Sequence, residues 1–498
     1  MLCLSRRDLL RILPFSAAPL AIPKPGEIRK IGDAPQLFTD FEQVELFDNV
    51  VRVFHSAEKH PENPVLRKVK PWETARGTWG SVIYDENERL FKAWYGGESG
   101  RPMPQGGASR HVMLYATSLD GVRWDRPNLR LYEIMGTRDN NAVVGDEHHD
   151  GMGHWESTLK DLFDPDPQRR FKAIGWSSYD WDGPLSGIYT MTSPDGLNWT
   201  HVPEPVFHFH PRPNTSDLGP VGDAQSMMID TLRRRYVAFL RRSPDRAMSV
   251  STDFVHWTPP ATSIQARDGE LGNTVYNHMG FVYGDRYLGI LTHFDRAPRD
   301  PRLTLRLLTS RDGEHWERPD TRRPLVGSGA IGEVDRFTIM LTGAPPIRVR
   351  NRLHIYYRAM ANRHTLATES AKTREYEGKD VPLTGGGICL ATLRADGFAS
   401  LDAGYDGGLV TTKPFLFTGA TLKVNAKADF GQVVVEVLDE NAKPMSGFQK
   451  EMCKPMQTDN VEEAIRWKDA SLADLQGRPV RLRFHLTNAR LYAYRFTA

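Results

Sequence analysis

The sequence predicts an all-β protein: a five-bladed β-propeller followed by a β-sandwich domain. Three observations carry that expectation. A turn of the form Ser-x-Asp-Gly-x-x-Trp returns five times in whole or in part. A strand beginning with Arg returns in phase upstream of it. Past residue 407 the texture changes to short alternating strands.

The turn is complete at residues 118–124, 193–199 and 310–316, ending in Trp124, Trp199 and Trp316. Residues 251–257 vary it, with Phe254 in place of glycine before Trp257, and residues 392–398 are the weakest copy, ending in Phe398. The Asp-to-Asp steps, from Asp120 through Asp195, Asp253 and Asp312 to Asp396, are 75, 58, 59 and 84 residues. A period with loop-length scatter marks stacked copies of one supersecondary unit. Asp-Gly is a tight-turn signal, and the aromatic residue after it is an apolar wedge for a neighbouring unit. The upstream strands start at Arg89, Arg170, Arg235, Arg286 and Arg352, most of them after a turn rich in Asp, Asn, Pro or Gly. Two markers in one order, five times over, fit the blades of a propeller over residues 31–407.

In chain order, the N-terminus comes first. Arg6-Arg7 precedes a short, weakly apolar stretch from Leu13 to Ala21, which reads as a twin-arginine export segment over residues 1–30. It implies a periplasmic or extracellular location. The stretch is too short to span a bilayer, and no other segment has the length and apolarity to do so. Residues 404–408 read as a linker, and 408–498 as the β-sandwich, with strands such as Gln432–Leu438 alternating apolar and polar residues. Its expected role is to pack on the propeller; an independent sugar-binding role is the sharper alternative.

Composition narrows the partners. Of 498 residues, 64 are Lys or Arg and 62 Asp or Glu, so the net charge of +2 gives no basic excess for a nucleic-acid backbone. The 11 Trp suit both blade packing and stacking on sugar rings. Cys3 falls in the export segment, and Cys389 and Cys453 lie far apart, so neither a disulfide framework nor a cysteine zinc site is expected.

Several stretches resemble a known group. Leu37-Phe38-Thr39-Asp40, Pro71-Trp72-Glu73, residues 90–95, the repeated turns, residues 394–401 and Thr412-Lys413-Pro414 resemble bacterial exported proteins related to glycoside hydrolase family 32 and, more loosely, family 43. The resemblance covers nearly the whole mature chain. It implies a five-bladed propeller with a C-terminal β-sandwich, and carboxylates on the innermost strands around the axis. The Trp-Met-Asn-Asp-Pro-Asn-Gly-like signature of the fructosidases is absent, so their substrate is not implied.

Glycoside hydrolysis requires two carboxyl groups across the scissile bond, one able to give a proton. A third often tunes the acid by repulsion. The windows preceding each Arg-led strand supply Glu73, Glu156, Asp223 and Asp335 as catalytic candidates, with Glu333 on the same strand face as Asp335. Trp72, Trp155, His154, Asn277, His278 and Arg336 are the expected substrate contacts. Each acid also has a structural explanation: Asp223 as a turn cap, Asp335 as an ion-pair partner, Glu73 as a loop residue. The cluster Glu147-His148-His149-Asp150 with His154, His208 and His210 could hold a metal, but spacing alone does not establish convergence. A rim of glycan-binding hydrogen-bond groups is the plainer reading, so no cofactor is expected beyond a structural cation in the axial channel, which family 43 suggests.

The expected function is therefore an exported glycoside hydrolase acting on a poly- or oligosaccharide. The alternatives are a non-catalytic carbohydrate-binding propeller and a sialidase-like hydrolase. The last would need an Arg cluster, for which Arg336, Arg358 and Arg363 are candidates, and a Tyr nucleophile. Sialidases, however, have six blades and one residue between Asp and Gly in their turns.

Overall fold

The computed structural model describes residues 28–73, 79–102, 109–146, 153–177, 185–209, 221–242, 245–265, 274–295, 301–319, 323–330, 332–361, 363–364 and 386–498. The export segment expected over residues 1–30 lies almost wholly outside them. The described chain is all-β: strands joined by turns and three short 3-10 segments. No described helix is long and apolar enough to cross a membrane.

Five antiparallel sheets follow one another along the chain. The first is Gly80–Asp85, Leu90–Pro102, Ser109–Ser118 and Ala142–Val144 in spatial order. The second is Gly153–Lys160, Phe171–Ser177 and Gly187–Ser193, with Thr200–His201 and Phe207–His208 both on the last of these. The third is Gly222–Asp230, Arg235–Arg241, Arg246–Ser251 and Ala261–Ile264. Val275–Tyr283, Arg286–Asp295 and Arg302–Ser310 make the fourth. In the fifth, Thr338–Leu341, Arg352–Met360 and Gly386–Arg394 are joined on the outer side by Glu58–Lys59 and Leu66–Arg67 from near the N-terminus. The Arg-led motif thus falls at or just before the second strand of every sheet.

The first strand of each sheet is here called its lead strand; those of the first three sheets are hydrogen-bonded to the next sheet through serine hydroxyls, the fourth sheet through a threonine on its second strand, and the fifth through backbone alone. Ser81 Oγ takes the Thr158 amide at 2.8 Å, and Ser157 Oγ the Met227 amide at 3.2 Å. Ser226 Oγ donates to the His278 carbonyl at 2.6 Å, and Thr292 Oγ1 accepts the Leu341 amide at 3.2 Å. Just past the fifth sheet's lead strand, the Gly343 amide donates to the Gly80 carbonyl of the first sheet at 2.9 Å. Serine and threonine suit this seam because they are small and can both give and accept. Gly343 is required for closeness: a Cβ there would lie 2.0 Å from the Glu156 carbonyl oxygen.

The repeated turns have one geometry. In the first, Asp120 Oδ1 accepts the amides of Val122 and Arg123, both at 2.8 Å, and Ser118 Oγ accepts that of Gly121 at 2.8 Å. The same bonds recur around Asp195, Asp253 and Asp312. The fourth position needs a positive φ, which Gly121, Gly196 and Gly313 adopt freely and Phe254 adopts at 64°. The turns also dock sheets together. Trp94 Nε1 of the first sheet donates to the Gly196 carbonyl at 2.7 Å, and Tyr356 Oη of the fifth to the Gly121 carbonyl at 2.8 Å. The fifth copy departs from this. Asp396 accepts the Tyr283 hydroxyl at 2.7 Å, Phe398 packs edge-on against that ring, and the chain leaves the fifth sheet.

Two further sheets share one core. One is ordered Asp459–Ala464, Thr421–Lys427, Ala489–Thr497, Ala399–Ala403 and Val51–Phe54, with Gln36–Leu37 also on Ala489–Thr497. The other is ordered Val44–Asp48, Gly408–Thr412, Arg481–Thr487 and Gln432–Leu438. Leu401, Val410, Val424, Val435, Leu482 and Tyr494 meet between them. Both ends of the chain feed this pair, and the expected linker at 404–408 is the loop that carries Ala399–Ala403 over to Gly408–Thr412.

Candidate active site

Three successive lead strands carry a β-bulge near their leading ends. In Gly153–Lys160 the pairing register shifts between Trp155 and Ser157, leaving Glu156 unpaired. In Gly222–Asp230 it jumps from Gly222 to Ser226, looping out Asp223, Ala224 and Gln225. In Val275–Tyr283 it shifts between Val275 and Asn277, at Tyr276. A bulge bends a strand and re-aims the side chains it frees. Ala224 adopts φ of 69°, an uncommon conformation for a residue with a Cβ.

These bulges bring two of the four expected acids together. Glu156 is 3% exposed. Its Oε2 accepts the Gln225 backbone amide at 2.7 Å, while its Oε1 has no partner. Burial, and then the charge of Asp223, push its carboxyl well above the usual glutamate range. The Gln225 amide, Arg358 and Trp176 oppose the shift without reversing it. Asp223 is partly exposed and ion-paired with Arg241, whose guanidinium also stands 5.2 Å over the Tyr276 ring. The surroundings of Glu156 thus favour its neutral form, while Asp223 has a cation beside it: two carboxyl groups, two environments.

Around the pair stand aromatic and cationic groups. The Arg358 guanidinium lies 4.0 Å from the centroid of Trp79, a cation–π contact. Its buried side chain also reaches the sulfurs of Met340 and Met360, and burial pulls its pKa down to about 10. His154 sits among Trp79, Trp176 and His111, with the two imidazole centroids 4.1 Å apart. Burial, then His111 and Arg358, hold His154 neutral. Burial and the Asp223 charge raise Tyr276, so its phenol stays protonated. Gln225 is buried with both side-chain polar atoms unpartnered, and so is Asn277 Oδ1. Unmet buried amides of this kind are uncommon and are satisfied by water or ligand groups.

The other expected residues are placed elsewhere or differently. Glu73 is buried and saturated. It takes the Tyr95 hydroxyl at 2.7 Å, the backbone amides of Val69 and Lys70 at 2.6 and 2.8 Å, and an ion pair from Arg126. Trp72 beside it donates to Asn141 at 2.9 Å. Asp335 takes the Tyr357 hydroxyl at 2.8 Å and Lys59 at 2.7 Å, tying the N-terminal segment to the fifth sheet. Glu333, though close in sequence, caps the Ala330 amide. Arg336 stacks on Phe337, and Trp155 packs edge-on to His201. His278 bonds Ser263 at 3.2 Å and packs edge-on to Phe239, with burial and Arg246 pushing it down to about 3. No described hydrogen bond or ion pair joins Glu73 or Asp335 to Glu156 or Asp223.

Residues 147–150 and His210 of the expected histidine cluster lie outside the described residues. Among the described residues, no group of three His, Cys, Asp or Glu is arranged to hold a metal. Sequence reasoning passed over Trp79, Trp176, Gln225 and Tyr276. Trp79, Gln225 and Tyr276 lie in or next to the same stretches as the candidate acids, ahead of the Arg-led strands, and their polar or aromatic character is the signal that marks them there.

No family model matches the chain, and no curated protein does. Solved structures do. One from Bacteroides ovatus, provisionally named a glycoside hydrolase, is 12% identical with a TM-score of 0.46, covering 68% of this chain and 96% of its own. The catalytic domain of a Coprinopsis cinerea GH62 α-L-arabinofuranosidase is 12% identical with a TM-score of 0.43, over 68% and 96%. A β-1,2-mannobiose phosphorylase from Listeria innocua is 11% identical with a TM-score of 0.42, over 68% and 97%. At such identities and TM-scores these likenesses carry no weight for the reaction or the substrate of this chain.

Proposed function

We propose that the chain is a glycoside hydrolase, with Glu156 as general acid and Asp223 as the second carboxyl group. The observation that carries this reading is Glu156 itself. It is a buried carboxyl, pushed toward its protonated form by desolvation and a neighbouring carboxyl group, with Trp176 nearby and no hydrogen bond made to its Oε1. Glycoside cleavage asks for that division between a proton donor and a second carboxylate.

In this reading residues 31–407 form a five-bladed propeller, supported by the succession of seams from Ser81 round to Gly343. Residues 408–498, with strands lent from the N-terminal side, form a β-sandwich, and residues 1–30 direct export to the periplasm or beyond. The sugar enters over Glu156. Its leaving-group oxygen takes the proton from Glu156 Oε1, and Asp223 attacks the anomeric carbon or activates water, according to the separation of the two carboxyl groups. Arg241 pairs with Asp223 and aims it. Gln225 and Asn277 give their unmet amide atoms to sugar hydroxyls, and Trp79, braced by Arg358, lines the wall. Glu73 and Asp335 support the fold rather than the reaction.

The test is sugar release from a broad polysaccharide and oligosaccharide panel, with Glu156→Gln and Asp223→Asn beside the wild type. Release that both variants lose supports the reading. Release that survives both changes moves the site elsewhere. Binding without release from any substrate replaces it with the non-catalytic alternative.

A further inference from the structure

Apolar rings exposed to water are unfavourable, and a cluster of them marks a surface that something covers. Among the described Phe, Tyr and Trp residues the two most exposed are Tyr405 and Phe430, each 75% exposed. They lie far from Glu156 in sequence and on different loops, yet at one tip of the last two sheets. Asn488 holds both loops: its amide donates to the Gly404 carbonyl at 2.8 Å, and its Nδ2 to the Phe430 carbonyl at 2.9 Å. Asn49 Nδ2 bonds the Gly407 carbonyl and brings the end of Val44–Asp48 to the same tip, with Phe47 a further exposed ring on that strand. Gly431 lies so close to the Thr487 carbonyl that a Cβ would meet it at 2.0 Å, which fixes the Phe430 loop against its neighbour. Two rings are thus displayed on backbone that is tied down.

The chemistry around the rings selects the occupant. Asp406 and Asp429 flank them in sequence, and Asn49 and Asn488 tie the loops through their Nδ2 atoms. Lys427 is engaged by Asp429 and Asp459, each at 3.6 Å. Carboxylates beside the rings repel an anionic membrane surface and a nucleic-acid backbone alike. A glycan fits: its pyranose faces are apolar and flat, and its hydroxyls pair with carboxylates and amides. We infer that this tip is a second carbohydrate-binding site, in which Tyr405 and Phe430 stack on a glycan chain. It is separate from the proposed active site, and its function does not depend on Glu156 acting as an acid.

The experiment is native affinity electrophoresis of the full chain through gels holding xylan, a pectin or a β-glucan. The background is Asp223→Asn, so that no polysaccharide is cut. Retardation by at least one polysaccharide is expected, with binding roughly tenfold weaker in Tyr405→Ala/Phe430→Ala, the scale of two lost ring contacts. Tyr405→Phe/Phe430→Tyr keeps both rings and retains it. Both positions are exposed, so folding survives, and sugar release from short soluble oligosaccharides by the active enzyme is unchanged in the double alanine variant. Retardation that persists in the double alanine variant overturns the inference. So does the absence of retardation in every gel, including the case where the rings prove to mediate self-association in sedimentation.

Discussion

Glu156, near the leading end of its strand, and the acids at the trailing ends of the lead strands are treated in opposite ways. At the trailing end of the first sheet's lead strand, Asp85 binds Lys92 at 2.9 Å and Lys160 of the next sheet at 2.5 Å. After the second, Asp161 binds Lys172 at 3.2 Å and the Tyr236 hydroxyl of the third sheet at 2.5 Å. At the end of the third, Asp230 binds Arg235 at 2.9 Å and the Tyr287 hydroxyl of the fourth at 2.9 Å. Each reaches one partner within its own sheet and one in the next. At the leading ends, Glu156 keeps a free oxygen and Gln225 a free amide. Glu156 and the trailing acids are all buried, so burial does not separate them; the number of partners does.

Substitutions sharpen the contrast. Asp223→Asn should lower kcat/KM by about 10²–10⁴-fold, the usual range for losing a carboxylate in general acid–base chemistry, with thermal unfolding unchanged; steady-state kinetics and calorimetry check both. Asp85→Ala should do the reverse. It strips a buried partner from Lys92 and Lys160 and should remove about 3 kcal/mol of stability in a urea titration, while the folded fraction keeps its kcat/KM. A large activity loss with full stability in Asp85→Ala would erase the distinction between the two ends.

Stability against pH should split the ends by sign. Glu156 is raised when folded, so the folded state holds a proton that the unfolded state has lost. Stability therefore falls as pH rises from the ordinary glutamate range to the raised value. Glu156→Gln should remove that decline, and its advantage over wild type should grow across the window. For Asp85, burial raises the carboxyl, but hydrogen bonds and charges from Lys160 and Lys92 outweigh it and hold it low. Its stabilising contribution is present above the ordinary aspartate range and is lost as pH falls through the depressed value. Denaturant midpoints measured from pH 3 to 9 would show the two slopes. The smallest effect belongs to Gln225→Ala: KM up by roughly five- to tenfold through a lost hydrogen bond of about 1 kcal/mol, with kcat nearly constant and little change in stability.

Much of the β architecture was legible because turns are local. Ser118, Asp120 and Gly121 close their bonds within a few residues, so the motif could be read without knowing the fold. The fifth copy was read as a turn of the same kind, but Asp396 answers to Tyr283, 113 residues away, which no local pattern reveals. The candidate site was legible in part. Glu156 and Asp223 stood out as acids ahead of Arg-led strands, and the structure brings them together. Glu73 fits the same pattern, yet Tyr95 and Arg126 occupy its oxygens, and both are tertiary partners. Gln225 and Tyr276 were missed because the search was for charge. Their place at the site comes from bulges, which show only as register shifts between strands.

The decisive measurement is the titration of Glu156 in the folded protein, by carbonyl difference infrared spectroscopy with Glu156→Gln as the reference, in wild type and in Asp223→Asn. A buried acid repelled by Asp223 predicts a protonated carboxyl band that persists well above the ordinary glutamate range and moves down when Asp223 loses its charge. A band that disappears within the ordinary range, or that ignores Asp223→Asn, would contradict the assignment of Glu156 as the proton donor.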